Sequence, residues 1–126
     1  MSSSNSSMQP TTDAPTPRSP EVDQFVDHFL SLMCDHSRRQ ILELLAVPSD
    51  DGKGAPLERR STDIAKELGL SPATTSGHLK QLAKARLVES RREGNVIYYR
   101  LCNHMLVRAF QDLIMALDRE HATRLK

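Results

Sequence analysis

Tryptophan is absent from this sequence, and its aromatic complement is three phenylalanines and two tyrosines. A binding surface built from many stacked rings is therefore excluded. Two cysteines in 126 residues are too few for a disulfide scaffold. No run of about 18 apolar residues occurs, so no segment reads as a membrane-spanning helix. The opening MSSSNSSMQPTTDAPTPRSP lacks the apolar stretch of a secretory signal. Also missing are a glycine-rich phosphate loop, a nucleophile beside a base, and a carboxylate pair suited to acid–base work. An enzyme is the weakest class on that evidence, and a soluble intracellular protein of one domain is the expectation.

What the sequence does have is an uneven charge distribution. Its overall net charge is +1. Between residues 72 and 100, however, Lys80, Lys84, Arg86, Arg91, Arg92 and Arg100 face only Glu89 and Glu93. The stretch from 21 to 56 has the opposite balance, with Arg38, Arg39 and Lys53 against Glu21, Asp23, Asp27, Asp35, Glu43, Asp50 and Asp51. A near-neutral chain with one basic segment points to one surface that meets a polyanion.

Residues 1–20 hold six serines and four prolines with almost nothing to bury, which predicts a disordered tail. Residues 21–126 form the folded unit. EVDQFVDHFLSLM spaces Val22, Val26, Phe29 and Met33 at helical intervals, widened by Phe25, Leu30 and Leu32. SRRQILELLAV is a second helix, with Asp35 or Ser37 as its cap, and PSDDGKGAP is a loop. In STDIAKELGLSPATTSGHLKQLAKARLV, Ser61 or Thr62 caps a short helix that Gly69 ends. Ser71 caps the next, with Pro72 in its first turn. A short helix, a glycine-bearing turn and a second helix make a helix-turn-helix pattern. The period then changes to two. Val96, Tyr98 and Arg100 point one way and Ile97, Tyr99 and Leu101 the other, with Gly94 and Asn95 placed for a tight hairpin. A last helix carries Leu106, Phe110, Leu113 and Leu117. The fold class is mainly α with a two-stranded β-hairpin, a winged helix-turn-helix of order α-α-α-α-β-β-α.

The second helix of the motif is the informative one. Thr75, Leu79 and Leu82 recur at core spacing, leaving Ala73, Thr74, Ser76, Gly77, His78, Lys80 and Gln81 outside or on the flank. A helix entering the major groove of DNA needs short side chains near its start, since bulk there holds the backbone away from the base edges. Hydroxyls suit phosphates and bases alike, and Ser71 stands where a helix N-terminus meets a phosphate. Arg91 and Arg92 on the hairpin reach the backbone or minor groove alongside. Their bland alternative is exposed charge that keeps a strand edge soluble. The expected DNA-binding set is Ser71, Ala73, Thr74, Ser76, Gly77, His78, Lys80, Arg91 and Arg92. The terminal helices have wider apolar faces than so small a core can cover. A symmetry mate is the simplest partner for Val22, Phe25, Val26, Phe29, Leu106, Phe110, Leu113 and Leu117.

DHSRRQILELL, STDIAKELGLSPATTSGHLKQLAKARLVESRREGNVIYYRL and the closing helix resemble the ArsR/SmtB family of winged-helix repressors, from about Phe25 to Leu117. The resemblance implies a homodimer, joined through the first and last helices, that binds an imperfect inverted repeat in double-stranded DNA and is released by an inducer, here unknown. It implies a cytoplasmic, nucleoid-associated protein of a bacterium or archaeon. The metal-sensing members place a C-x-C pair where this chain has Arg60 and Thr62. They place Asp, His, His and Glu where it has Asn103, Met105, Ala116 and Arg119, so no metal and no cofactor are expected. Two Cys-x-His pairs remain: Cys34 with His36, and Cys102 with His104. They read as a tetrahedral metal site, as a thiol switch between Cys34 and Cys102, or as small packed residues at helix ends. The functional expectation is a dimeric, sequence-specific DNA-binding repressor. The alternatives are a winged helix that docks a protein partner through its terminal helices, and a redox-sensing repressor using the two cysteines.

Overall fold

Most helices begin where the sequence supplies a cap. The structure, a computed structural model, describes residues 17–47 and 57–125, so most of the expected tail and the expected 48–56 loop lie outside it. Helix α1 (Pro20–Met33) starts at Ser19, whose Oγ accepts from the Val22 amide at 3.2 Å. Helix α2 (His36–Leu45) is capped by Asp35, accepting from the Arg38 amide at 3.0 Å. Helix α4 (Pro72–Lys84) is capped by Ser71, accepting from the Thr74 amide at 3.1 Å, with Pro72 in its first turn. Helix α5 (His104–Arg124) follows Asn103, which caps the Leu106 amide from a left-handed conformation.

Helix α3 (Ser61–Leu68) corrects the expectation that Ser61 or Thr62 caps it. Arg60 holds the cap position and makes no side-chain cap bond. The reason lies just upstream. Arg59–Arg60 form a short strand, β1, that runs straight into the helix. The Arg60 guanidinium then turns to Asp63 in the first turn, at 2.9 and 3.1 Å. At the other end Gly69 has φ 69°, the left-handed conformation that a glycine adopts without a Cβ penalty.

The hairpin, β2 (Val88–Glu93) and β3 (Val96–Leu101), turns at Gly94 with φ 63°. Positive φ at the first central residue alone is the type II′ signature, whose twist suits a two-residue hairpin. Strand β1 adds to the far side of β3, giving a three-stranded antiparallel sheet in the order β1-β3-β2 with Arg59 opposite Tyr99 and Arg60 opposite Tyr98. The hairpin is thus braced on one edge. Tyr99 and Leu101 bury inward as their alternation requires, and Arg100 is exposed.

The architecture is a winged helix-turn-helix. Its core joins Leu32 and Met33 of α1, Ile41, Leu42 and Leu45 of α2, Ile64 of α3, and Leu79 and Leu82 of α4, closed by Leu87, Val88, Tyr99, Leu101 and Val107. On α4 the buried residues are Thr75, Leu79 and Leu82, the face the sequence spacing marks. Thr75 is tolerated there because its hydroxyl donates to the Ser71 carbonyl at 2.9 Å. Leu79 is fully buried, so Leu79→Ala is expected to lower unfolding free energy by about 2–5 kcal/mol in a denaturant titration. Unchanged stability would contradict this packing.

Candidate nucleic-acid interface

Opposite the buried face, α4 presents Ala73, Thr74, Gly77, Lys80, Gln81 and Lys84, all exposed, with Ser76 half-buried on the flank. The stripe is short-chained for its first two turns and cationic for its last two. Ser71 and Thr74 satisfy each other at the start, the Ser71 hydroxyl donating to Thr74 Oγ1 at 2.8 Å. Gly77 is the residue that stands out. Its φ is not positive, and a Cβ built there meets nothing within 4 Å. Glycine in a helix interior costs about 1 kcal/mol relative to alanine. The monomer itself has no steric need for it, which is the pattern of a helix shaped for close approach to something outside.

The wing distributes its charges unevenly. Arg91 is bidentate to Glu58, at 3.1 and 2.9 Å, and is also bonded to Glu93. Its guanidinium lies over the Tyr98 ring at 4.6 Å. The Arg91 bond holds the Glu58 carboxyl below its ordinary range, and Glu58 followed by Glu93 pushes the Arg91 pKa higher still. Arg100 pairs with Glu89 on the same face. Arg92 lies opposite Ile97 rather than Tyr98, so it points to the other side of the sheet, the side on which the helices pack. It is exposed, and among the described residues no carboxylate pairs with it. Of the six cations counted between residues 72 and 100, Arg91 and Arg100 are therefore neutralised locally. Lys80, Lys84, Arg86 and Arg92 keep their charge unpaired among the described residues. Glu58 and Lys84 were absent from the expected set. Lys84 is recoverable from its spacing with Lys80, whereas nothing in the sequence signals that Glu58 meets a residue 33 positions later.

His78 departs from the rest of the expected set. Its side chain is only 15% exposed and turns to α2, where Nδ1 accepts from Arg38 Nε at 3.3 Å and Nε2 lies 3.8 Å from Asp35. Asp35 is itself held below the usual carboxylate range, chiefly by its bond from the Arg38 amide.

Cys34 is exposed at the end of α1. Cys102 is half-buried, its thiol donating to the Arg86 carbonyl at 3.1 Å, and burial pushes its pKa up, which disfavours the reactive thiolate. Among the described residues no group of three or more His, Cys, Asp and Glu side chains gathers for a metal. Nor is any described helix long and apolar enough to cross a membrane.

The terminal helices keep apolar residues uncovered. Phe25 is 64% exposed and Leu117 55%, with Val22, Leu30, Leu113 and Met115 similar. Val26 is half-buried. Phe29 and Phe110, also half-buried, pack edge to face within the chain at 6.3 Å, and Leu106 packs on the core. A cavity of about 780 Å³ continues this face between α2 and α5, lined by Met33, Leu42, Val107, Phe110 and Met115 among others.

This geometry has known counterparts. The family model described as bacterial regulatory protein, arsR family, matches residues 35–90, from the α2 cap into β2. The HTH-type transcriptional regulator KmtR of Mycobacterium tuberculosis is 32% identical over 91 residues, covering 72% of this chain and 62% of that protein. The match thus spans less than two thirds of that relative's length. The arsenical resistance operon repressor of Staphylococcus aureus is 32% identical over 89 residues, covering 71% of this chain and 73% of that protein. The solution structure of a homodimeric winged helix-turn-helix DNA-binding domain from Mycobacterium bovis, a possible ArsR-family transcriptional regulator, is similar at a TM-score of 0.64 and 30% identity. It covers 87% of this chain and 93% of that one.

Two outcomes are expected. Gly77→Ala should stabilise the fold by about 0.5–1 kcal/mol, while Gly77→Glu should fold normally and abolish binding to duplex DNA in a gel-shift assay. Retained binding by Gly77→Glu would mean that this helix does not enter a groove. On the wing, Arg92→Ala should reduce the log–log salt slope of DNA affinity by about one for each subunit bound, as loss of a phosphate contact does. Arg91→Ala should change that slope less, because Glu58 and Glu93 already offset its charge. A larger effect from Arg91 would reverse this division of roles.

Proposed function

Because the chain belongs to the ArsR family of bacterial regulatory proteins, we propose that it is a sequence-specific DNA-binding transcriptional regulator, a dimeric repressor that an unidentified signal releases from its operator. The observation that carries this reading is the outward face of α4. Six exposed positions run from Ala73 to Lys84, with a glycine at their centre that nothing inside the monomer requires. A helix with that profile lies in the major groove with its backbone near the base edges. The thread of cations at Lys80, Lys84 and Arg92 supplies the attraction to phosphates that is independent of sequence.

Dimerisation follows from the same economy. Phe25, Val22 and Leu30 on α1, with Leu113, Met115 and Leu117 on α5, leave a wide apolar surface uncovered. Burying about 800 Å² per subunit is usual for a stable interface, and a two-fold related copy covers like with like. Two reading helices so related match an imperfect inverted repeat, and they make affinity depend on both half-sites. The names of the relatives do not extend to the signal. The positions at which metal-sensing members place ligands hold Arg60, Thr62, Asn103, Met105, Ala116 and Arg119 here.

Fluorescence polarisation with a duplex from its own upstream region, against a scrambled duplex of equal length, tests the proposal. Wild type should prefer the upstream duplex by about 10³-fold or more at physiological salt. The double variant Phe25→Asp, Leu117→Asp should sediment as a folded monomer and lose that preference. Equal affinity for both duplexes, falling steeply with salt, would reduce the activity to non-specific polyanion binding and contradict the proposal.

A further inference from the structure

Helix α4 rests on the core through Leu79 and Leu82, which are fully buried. Apolar contacts of this kind hold a helix against its neighbours but are non-directional. They settle which face of α4 turns inward and leave its finer rotation to directional contacts. A directional bond to a neighbouring element sets the last few degrees at which the outward side chains are presented. Among the described residues, the side chains of α4 make one hydrogen bond to another element, Arg38 Nε donating to His78 Nδ1 at 3.3 Å. The other side-chain bonds of the helix, at Ser71, Thr74 and Thr75, close within its own first turn.

The far end of this bond is well anchored. Arg38 Nη1 donates at 2.9 Å to the carbonyl of Leu32, in the last turn of α1, where carbonyls lack helical partners. The Arg38 amide is in turn held by the Asp35 carboxylate that caps α2. With Nδ1 accepting, the neutral imidazole carries its proton on Nε2, which faces Asp35 Oδ1 at 3.8 Å. Residue 78 adjoins Gly77 and lies two positions before Lys80, so the tie sits at the middle of the presented stripe.

We propose that the Arg38–His78 bond is a positioning device for the DNA-reading helix, fixing the rotation of α4 against the elbow between α1 and α2, so that Thr74, Gly77 and Gln81 face the duplex. His78 is on this view a positioning residue and touches no base. Because Arg38 also grips the end of α1, the helix that carries Phe25 and Val22, displacement of α1 is passed to α4 by the same guanidinium. The inference rests on the DNA-reading role proposed above.

The test compares His78→Leu, similar in bulk but without an acceptor, with His78→Asn, whose Oδ1 stands close to where Nδ1 does. Each is measured for affinity to the upstream duplex and to a scrambled duplex, with melting temperature alongside. His78→Leu should keep its scrambled-duplex affinity within about threefold and lose about tenfold or more on the upstream duplex, a factor of ten corresponding to about 1.4 kcal/mol. His78→Asn should restore most of that loss. Arg38→Met should lose specificity as His78→Leu does, and the double variant should be no worse than either alone. Three results would overturn the inference: an unchanged preference in His78→Leu, equal losses on both duplexes with a fallen melting temperature, or additive losses in the double variant. A wild-type protein with no preference at all would instead overturn the DNA-reading role itself, and this inference with it.

Discussion

Three buried side chains on α4, Thr75, Leu79 and Leu82, govern the rest of the molecule. Their spacing places one face of a 13-residue helix against the core and leaves the other in solvent. Once that face is committed, Ala73, Thr74, Gly77 and Lys80 have nowhere to go but outward. The surrounding helices serve this placement. Ile64 of α3 and Ile41, Leu42 and Leu45 of α2 form the bed on which α4 lies. The left-handed Gly69 lets the chain turn from α3 into α4 within a few residues. An outward glycine makes sense only in this frame, since a helix stabilised for its own sake would carry alanine there.

Electrostatics refine what packing begins. A count of charges between residues 72 and 100 suggests a uniformly basic segment, but the folded chain sorts them. The outer face of the sheet is close to neutral, because Glu58, Glu89 and Glu93 answer Arg91 and Arg100, and Asp63 answers Arg60. These exposed pairs contribute little to stability individually. Their effect is to withhold charge from one side of the wing and leave it on Lys80, Lys84, Arg86 and Arg92. Strand β1 matters for the same reason. It brings Glu58 within reach of Arg91 and braces the hairpin from its other edge, where a free two-stranded ribbon would be marginal.

The features that follow from local periodicity and cap chemistry were legible in the sequence. Asp35, Ser71 and Gly69 mark helix ends through bonds to residues three or four positions away. The inward set of α4 and the alternation of β3 follow from fixed periods of 3.6 and 2. The features that escaped depend on pairs distant in the chain. Two arginines carry no strand period, so β1 was invisible, and with it the true start of α3. His78 lies on the flank of the helical wheel, three positions after Thr75 and four before Leu82, and only the fold shows that its partner is Arg38, 40 residues earlier. The terminal helices were readable as apolar faces. Which rings pack within the chain, as Phe29 and Phe110 do, and which stay uncovered, as Phe25 and Leu117 do, is decided by tertiary contact.

Dimethyl sulfate protection of an operator duplex probes the central claim most directly, because the reagent methylates guanine N7 in the major groove and adenine N3 in the minor groove. A stubby helix seated in the groove requires strong N7 protection in two patches about one helical turn, 10–10.5 base pairs, apart. Protection at adenine N3 should be confined to positions near the wing. A bound complex that left every guanine N7 open to methylation would contradict the account, whatever its affinity.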